Sequence, residues 1–278
     1  MKLRIWVIAA ILIAGAVHVS AQSFNVATFN VRYDNSSDSG NLWVNRAPIV
    51  ANLIRFHDFD VFGVQEALKN QLNDISAALP QYACYGAGRD DGKEGGEHSS
   101  IYYKKDMFKL LKSGDFWLSQ TPDKPGKGWD ATCCNRICSW VYLQNIKTTK
   151  KFYMFNVHFD HQGLVARKES GKLMVQKIKE IAGNEPVLFT GDLNGGRESE
   201  WYKTIANSGI LKDAYAGVQH PYENNSSSNG FRTPRGMNVI DHIFMSKHFS
   251  ASRWGILTDT YFGKFPSDHF PVVATVDL

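Results

Sequence analysis

Pro186-Val-Leu-Phe-Thr-Gly-Asp-Leu-Asn-Gly-Gly196 is the stretch on which the reading of this chain turns. Val187 to Thr190 form a short, continuous run of apolar and β-branched residues, the pattern of a strand buried on both faces. The run stops at Gly191, Asp192, Leu193 and Asn194, followed by Gly195 and Gly196. Side chains two residues apart point to the same side of an extended segment, so Asp192 and Asn194 share a side. The carboxyl end of a buried strand is where α/β folds usually bind ligands. There Asp192 can take a proton from water, and Asn194 can orient that water or a phosphate oxygen. Asp, Asn and Gly are equally the residues of an ordinary turn, and these eleven positions alone do not decide between the two.

Working outward, the residues before this stretch predict a long helix over Leu164–Ala182, with Leu173, Met174, Val175, Ile178 and Ile181 on its buried side. Upstream of it, Ser139–Ile146 and Lys151–Phe159 read as an antiparallel pair joined by a polar Lys147–Lys150 turn. Downstream come a short helix over Trp201–Asn207, a Ser/Asn/Pro/Gly loop over Tyr222–Arg235, and strands at Val239–Met245 and Val272–Val276. In the first half, Phe24–Tyr33 alternates as a strand. Asn45 caps a helix with Pro48 in its first turn, and Asp60–Glu66 is a second strand. An amphipathic helix carrying Leu68, Leu72, Ile75 and Leu79 ends at Pro80. Loops over Gly86–Gly96 and Thr121–Gly128 separate short strands at Ser99–Tyr103 and Phe116–Leu118. Phe29-Asn-Val-Arg-Tyr-Asp34 echoes Phe155-Asn-Val-His-Phe-Asp160, which suggests two similar sheets packed face to face with helices outside.

The amino terminus reads differently. Lys2 and Arg4 precede an apolar run from Ile5 to Val17 and a small-residue site at Val19-Ser20-Ala21. This is the pattern of a secretory signal peptide over 1–21, too short for a permanent span, leaving a single domain over 22–278 that is secreted or periplasmic. No cysteine near the junction suggests a lipid anchor. Taking Lys2 and Arg4 from the 31 basic residues leaves 29 against 27 acidic, a net charge of +2. A tight duplex binder usually carries a pronounced basic stripe, and +2 gives no support for one. Of the four cysteines, Cys84, Cys133, Cys134 and Cys138, the adjacent pair strains to bridge itself. A bridge from Cys84 to one of the other three and a set of free thiols stay open. A zinc site is disfavoured because no histidine stands at finger-like spacing.

The informative pattern is that many inferred strands finish in a ligand-type side chain: Asn30, Glu66, His158, Asp192 with Asn194, Asp241, and the Asp268-His269 dyad. Any one of these can be a structural hydrogen-bonding group. Together they are costly to bury unless they satisfy one another or a metal. The donors are hard oxygens and imidazole, which suit Mg²⁺ or Mn²⁺, or Ca²⁺ at a looser site, better than zinc.

The set Thr28-Phe-Asn30, Val64-Gln-Glu66, Asn156-Val-His158, Gly191-Asp-Leu-Asn194, Ile240-Asp-His-Ile-Phe244 and Ser267-Asp-His-Phe-Pro271 resembles the endonuclease/exonuclease/phosphatase superfamily, of the deoxyribonuclease I type. The resemblance runs in order from Asn25 to the carboxyl terminus. It implies a four-layered α/β sandwich, two mixed β-sheets face to face with helices outside, and Mg²⁺-dependent phosphoester hydrolysis by a monomer. Carried onto this sequence, it implies Glu66 as principal metal ligand with Asn30 beside it and Asp268 as a further metal or water ligand. Asp192 would align or deprotonate the attacking water, with Asn194 holding it. His269, oriented by Asp241, would stabilise the phosphoryl group or protonate the leaving oxygen, and His158 would contact a phosphate oxygen with Glu97 as its partner. Arg32 departs from the abasic-site branch, which carries an aspartate there.

Arg89, Arg136 and Arg167 are candidate phosphate or substrate contacts; Trp43, Trp117, Trp129 and Trp140 read as core or loop anchors. No Cys or Ser nucleophile stands beside a base. The expected activity is hydrolysis of a phosphodiester, with nucleic acid as one substrate. Phosphomonoester hydrolysis of an inositol or sugar phosphate, or of a phospholipid headgroup, is the alternative, and a non-catalytic binding module is the least favoured reading.

Overall fold

A computed structural model describes residues 23–233 and 236–278. The expected leader, and Pro234 and Arg235 of the expected loop, lie outside the described residues. The elements are β1 Phe24–Asn30, α1 Trp43–Phe56, β2 Val61–Gln65, α2 Lys69–Ala78, β3 Tyr82–Tyr85, β4 Ile101–Lys104, β5 Phe108–Trp117 and β6 Ile137–Asn145. They continue with β7 Lys151–His158, α3 Leu164–Ala182, β8 Val187–Asp192, α4 Glu200–Ala206, β9 Lys212–Asp213, a 3₁₀ turn at Ala214–Gly217, β10 Asp241–Met245, β11 Ser250–Ile256 and β12 Val272–Asp277.

The strands form two six-stranded sheets, ordered β11-β12-β1-β2-β4-β3 and β5-β6-β7-β8-β10-β9. At the centre of each lies a parallel pair, β1 with β2 and β7 with β8, whose crossover carries α1 or α3. The echo at Phe29 and Phe155 falls in the first strand of both crossover units. The side chains of β7 show why the sheets stack: Phe152 and Met154 enter the core between the sheets, while Tyr153, Phe155 and Val157 pack outward against α3 and α4. A third cluster, with Phe29, Phe62, Val50, Ile54 and Leu72, lies under α1 and α2. The result is the expected four-layered sandwich, in which burying each such phenylalanine is worth about 1.5–3 kcal/mol.

Polar side chains also bridge the two sheets. Asn156 of β7 is fully buried; its amide donates to the carbonyls of Val64 (2.8 Å) and Ser100 (3.0 Å). Its oxygen accepts from Gln65 Nε2 (2.7 Å) and Thr190 Oγ1 (3.0 Å). Gly63 makes room for it: a Cβ there would lie 2.2 Å from Asn156 Oδ1. The residues just before Glu66, His158 and Asp192 are thereby locked together.

Several boundaries differ from expectation. Strand β1 stops at Asn30 because Arg32 takes a left-handed backbone, φ 56°. Helix α1 starts at Trp43 with Leu42 before it, so Asn45 lies inside the first turn and is not the cap. Phe116–Leu118 marks only the end of β5, whose earlier residues are half-exposed and broken by an irregularity between Leu110 and Lys112. Strands β3, β9 and β11 were not anticipated; all three are sheet edges with weak apolar signal. Cys133 and Cys134 stand side by side in the loop before β6, and Cys84 and Cys138 are free thiols.

Candidate active site

Strand register brings the polar ends into one row. Asn30 pairs with Gln65, next to Glu66; His158 pairs with Asp192, and Asp192 with Asp241. His269 is brought up by the turn before β12, where Ser267 Oγ donates to the carbonyl of Asn30 (2.7 Å). Arg32, Glu66 and Asn194 have φ of 56°, 63° and 47°. Positive φ at non-glycine residues costs on the order of 1–3 kcal/mol and concentrates at functional sites.

Asp192 is the hub. Its oxygens accept from Asn30 Nδ2 (3.1 Å) and from the backbone N–H of Asn194 (2.8 Å). Asn30 Nδ2 also donates to Glu66 Oε1 (2.9 Å), and the second Glu66 oxygen accepts from Tyr33 N–H (3.2 Å). Burial, then the charge of Asp241, raises the Asp192 carboxyl to about 7. His269 Nδ1 is 2.9 Å from Asp241 Oδ2, and its Nε2 lies 3.8 Å from Asp192 Oδ2. Burial alone would depress this imidazole, but Asp241, Asp192 and Asp268 outweigh it and hold the ring protonated.

His158 is the opposite case. Burial, then the charges of Arg136 and Arg89, pushes it well below its ordinary value. Asn194 Nδ2 stands 3.1 Å from His158 Nε2, so that nitrogen accepts and the ring proton sits on Nδ1, 3.9 Å from Glu97 Oε2. Glu97 in turn accepts from Arg89 Nη1 (2.6 Å) and is raised to about 7, mainly by burial. Arg136 donates toward His161 Nδ1 (2.8 Å) and lies 3.5 Å from Asp160. The Nε of Arg89, Nη1 of Arg136 and Nδ1 of His158 are buried without a hydrogen-bond partner among the described residues. All three residues line the same cleft of about 500 Å³ as Glu66, Asp192, Asn194 and His269.

Arg167 does not join them. Its Nη1 donates to the carbonyl of Asp160 (3.1 Å) and its guanidinium lies over Trp201, 4.8 Å from the ring centre, so it braces α3 and is not among the residues that line the cleft. Tyr33, His161, Cys133 and Cys134 line the cleft without having been expected. His161 follows the strand that ends at His158, a signal the sequence did offer; the cysteines arrive from a long loop and offered none.

The donors fit a divalent cation. Glu66, Asn30 and Asp268 supply oxygens only, and burial together with the Glu66 charge raises the Asp268 carboxyl. A cation would relieve this crowding of negative charge. Ligand atoms of Asp192, Asp241 and His269 also lie within 4.8 Å of one another, but the Asp241–His269 hydrogen bond already uses two of those groups.

The chain belongs to the Endonuclease/Exonuclease/phosphatase family, which its residues 27–269 match. It is similar to an endonuclease/exonuclease/phosphatase family protein from Bacteroides thetaiotaomicron, 43% identical, covering 93% of this chain and 97% of that one, TM-score 0.90. It is equally similar to the mannosyl-6-phosphatase of the same organism, 43% identical, covering 92% of this chain and all of that one (100%), TM-score 0.89. Among curated relatives, an uncharacterized protein of Acanthamoeba polyphaga mimivirus is 24% identical over 244 residues, covering 72% of this chain. The match takes in 35% of that relative, and 28–59% of the length of the other curated relatives.

Proposed function

We propose that the protein is an exported, Mg²⁺-dependent phosphomonoesterase that removes a terminal phosphate from a sugar. The observation that carries this reading is the pair of guanidinium groups, Arg89 and Arg136, which line the cleft that holds Asp192 and His269 and each keep one buried N–H without a hydrogen-bond partner among the described residues. A terminal phosphoryl group has three non-bridging oxygens and up to two negative charges, one more of each than a diester. A buried pair of like charges facing one void is stabilised by such an anion. Similarity to the mannosyl-6-phosphatase along nearly the whole of both chains supports the sugar half of the proposal. The small net charge favours a compact substrate over a duplex, and the apolar leader over 1–21 supports export.

Asp192 aligns the attacking water and, as a carboxylate, accepts its proton; Asn194 and Asn30 fix the orientation of that carboxylate. Protonated His269, held by Asp241, faces the developing charge and delivers a proton to the leaving oxygen. Neutral His158 presents its Nδ1 proton as a hydrogen-bond donor. Glu66, with Asn30 and Asp268 beside it, would hold a divalent ion, which would supply further positive charge to the phosphoryl oxygens. The test is phosphate release from hexose 6-phosphates by wild type, Asp192→Asn and His269→Ala. Loss of turnover by about 10²–10⁴-fold in folded variants is expected; full activity in either variant sinks the assignment.

A further inference from the structure

Arg32 stands where it is expensive to put an arginine. Its backbone is left-handed, φ 56°, and its N–H donates to Asn30 Oδ1 (3.0 Å). Its carbonyl is pinned from two sides, by Gln71 Nε2 (2.8 Å) and by Nη2 of the fully buried Arg46 (3.2 Å). The same Arg46 donates to the carbonyls of Val31 (2.7 Å) and Pro266 (3.0 Å), which ties this turn to the segment leading into Asp268. The Arg32 side chain is fixed as firmly. Asp38 accepts from its Nε (2.9 Å) and Nη2 (3.0 Å), and the guanidinium lies 4.4 Å from the centre of the Tyr33 ring. The outcome of this bracing is that Nη1 lies 3.9 Å from Glu66 Oε2 and Nε lies 3.9 Å from Asp268 Oδ2.

An ion pair with Asp38 alone could be made from a relaxed backbone at the protein surface. Here the strained turn, the buried Arg46 and Asp38 together deliver one fixed positive charge to both carboxylates that are suited to a cation. We propose that Arg32 is a built-in cation of the metal site, neutralising part of the Glu66–Asp268 charge so that the protein binds one divalent ion and binds it weakly. This rests on the metal-dependent reading above. The direction follows from Coulomb's law: a guanidinium about 4 Å from each carboxylate lowers the attraction that the pair exerts on an incoming divalent ion. Because the Arg32 side chain keeps 24% of its exposure, solvent screens the effect, and about a tenfold change in affinity is the expected size.

The experiment is calorimetric titration of EDTA-stripped protein with Mg²⁺ and Mn²⁺, for wild type, Arg32→Met, Arg32→Gln and Arg32→Lys. Wild type is expected to take one ion. The two uncharged variants are expected to bind about tenfold tighter, while Arg32→Lys, which keeps the charge, stays within about threefold of wild type. Should an uncharged variant be too unstable for titration, the rise in Tm on adding Mg²⁺ is read instead and is expected to exceed the wild-type rise. Affinity in Arg32→Met and Arg32→Gln equal to or weaker than wild type, or an equal or smaller rise in Tm, overturns the proposal while leaving metal dependence intact. Absence of any ion binding by wild type overturns both.

Discussion

Replacing Asn156 by alanine removes four hydrogen bonds at once, to Val64 O, Ser100 O, Gln65 Nε2 and Thr190 Oγ1. Not all the partners are orphaned: Gln65 Nε2 keeps Thr28 Oγ1 (3.0 Å), and Ser100 O keeps the N–H of Val64 (2.9 Å). At about 1 kcal/mol net per bond, with a small buried void left behind, the loss comes to about 4 kcal/mol. For a chain of this size that lowers Tm by about 8–16 °C. Gly63→Ala attacks the same contact from the other sheet, since its Cβ would meet Asn156 Oδ1 at 2.2 Å and Thr190 Oγ1 at 2.6 Å. Thermal melts of both single variants and of the double variant therefore form a cycle. The new Cβ of residue 63 partly fills the space that Asn156 vacates, so the double variant is expected to be less destabilised than the two singles added together. A Tm for Asn156→Ala within about 2 °C of wild type, or strict additivity in the cycle, refutes the idea that this amide holds the sheets in register.

Acidity changes give a second test. Asp192 and Asp268 are raised by burial and nearby charge, and His269 by its carboxylate neighbours. Groups raised in the folded state add stability below their unfolded values and lose it as pH climbs through the folded values. In EDTA, Tm is therefore expected to fall between about pH 6 and 8, a fall that saturating Mg²⁺ flattens; a Tm in EDTA that rises across this window contradicts the assignments. In Asp241→Asn, which removes the carboxylate that orients His269 and holds it charged, turnover at neutral pH is expected to drop by about 10²-fold or more, and the alkaline limb of the rate profile moves to lower pH. An unmoved limb counts against the dyad. Arg167→Ala, which loses only the brace to Asp160 and Trp201, is expected to leave kcat/KM within about twofold of wild type, and a large loss returns Arg167 to the cleft.

Much of this architecture was legible in the residues because the two signals that matter most are local. Continuous apolar runs ending in Gly-Asp-Leu-Asn or Val-Gln-Glu mark central strands whose neighbours bury both faces, and α3 announces itself by periodicity over its full observed length. Edge strands such as β3 and β11 alternate poorly, with their buried residues confined to one end, so composition says almost nothing about them. Asn45 does not cap α1, because the helix begins at Trp43 behind Leu42, a residue whose side chain has no oxygen to offer the first-turn N–H groups. Asp192, Asn194, Asp241, His269, Glu66 and Asn30 were recoverable as strand ends. Arg167 lies outside the cleft lining because its spacing from His158 says nothing about which way a side chain at the start of a helix points. Asp38 and Tyr33 are local to Arg32, but its other partners Glu66 and Asp268, like those of Asn156, lie far along the chain on other elements, and only the fold reveals them.

The most direct test of the account is the ratio of kcat/KM for a hexose 6-phosphate to that for an activated phosphodiester, measured with Mg²⁺ and again in EDTA, for wild type and Arg89→Gln. Monoester turnover is expected to need the metal, to exceed diester turnover, and to lose that preference when Arg89 no longer offers its charge to the cleft. Cleavage of diesters or DNA in preference to the monoester, or a preference unchanged in Arg89→Gln, would contradict the account.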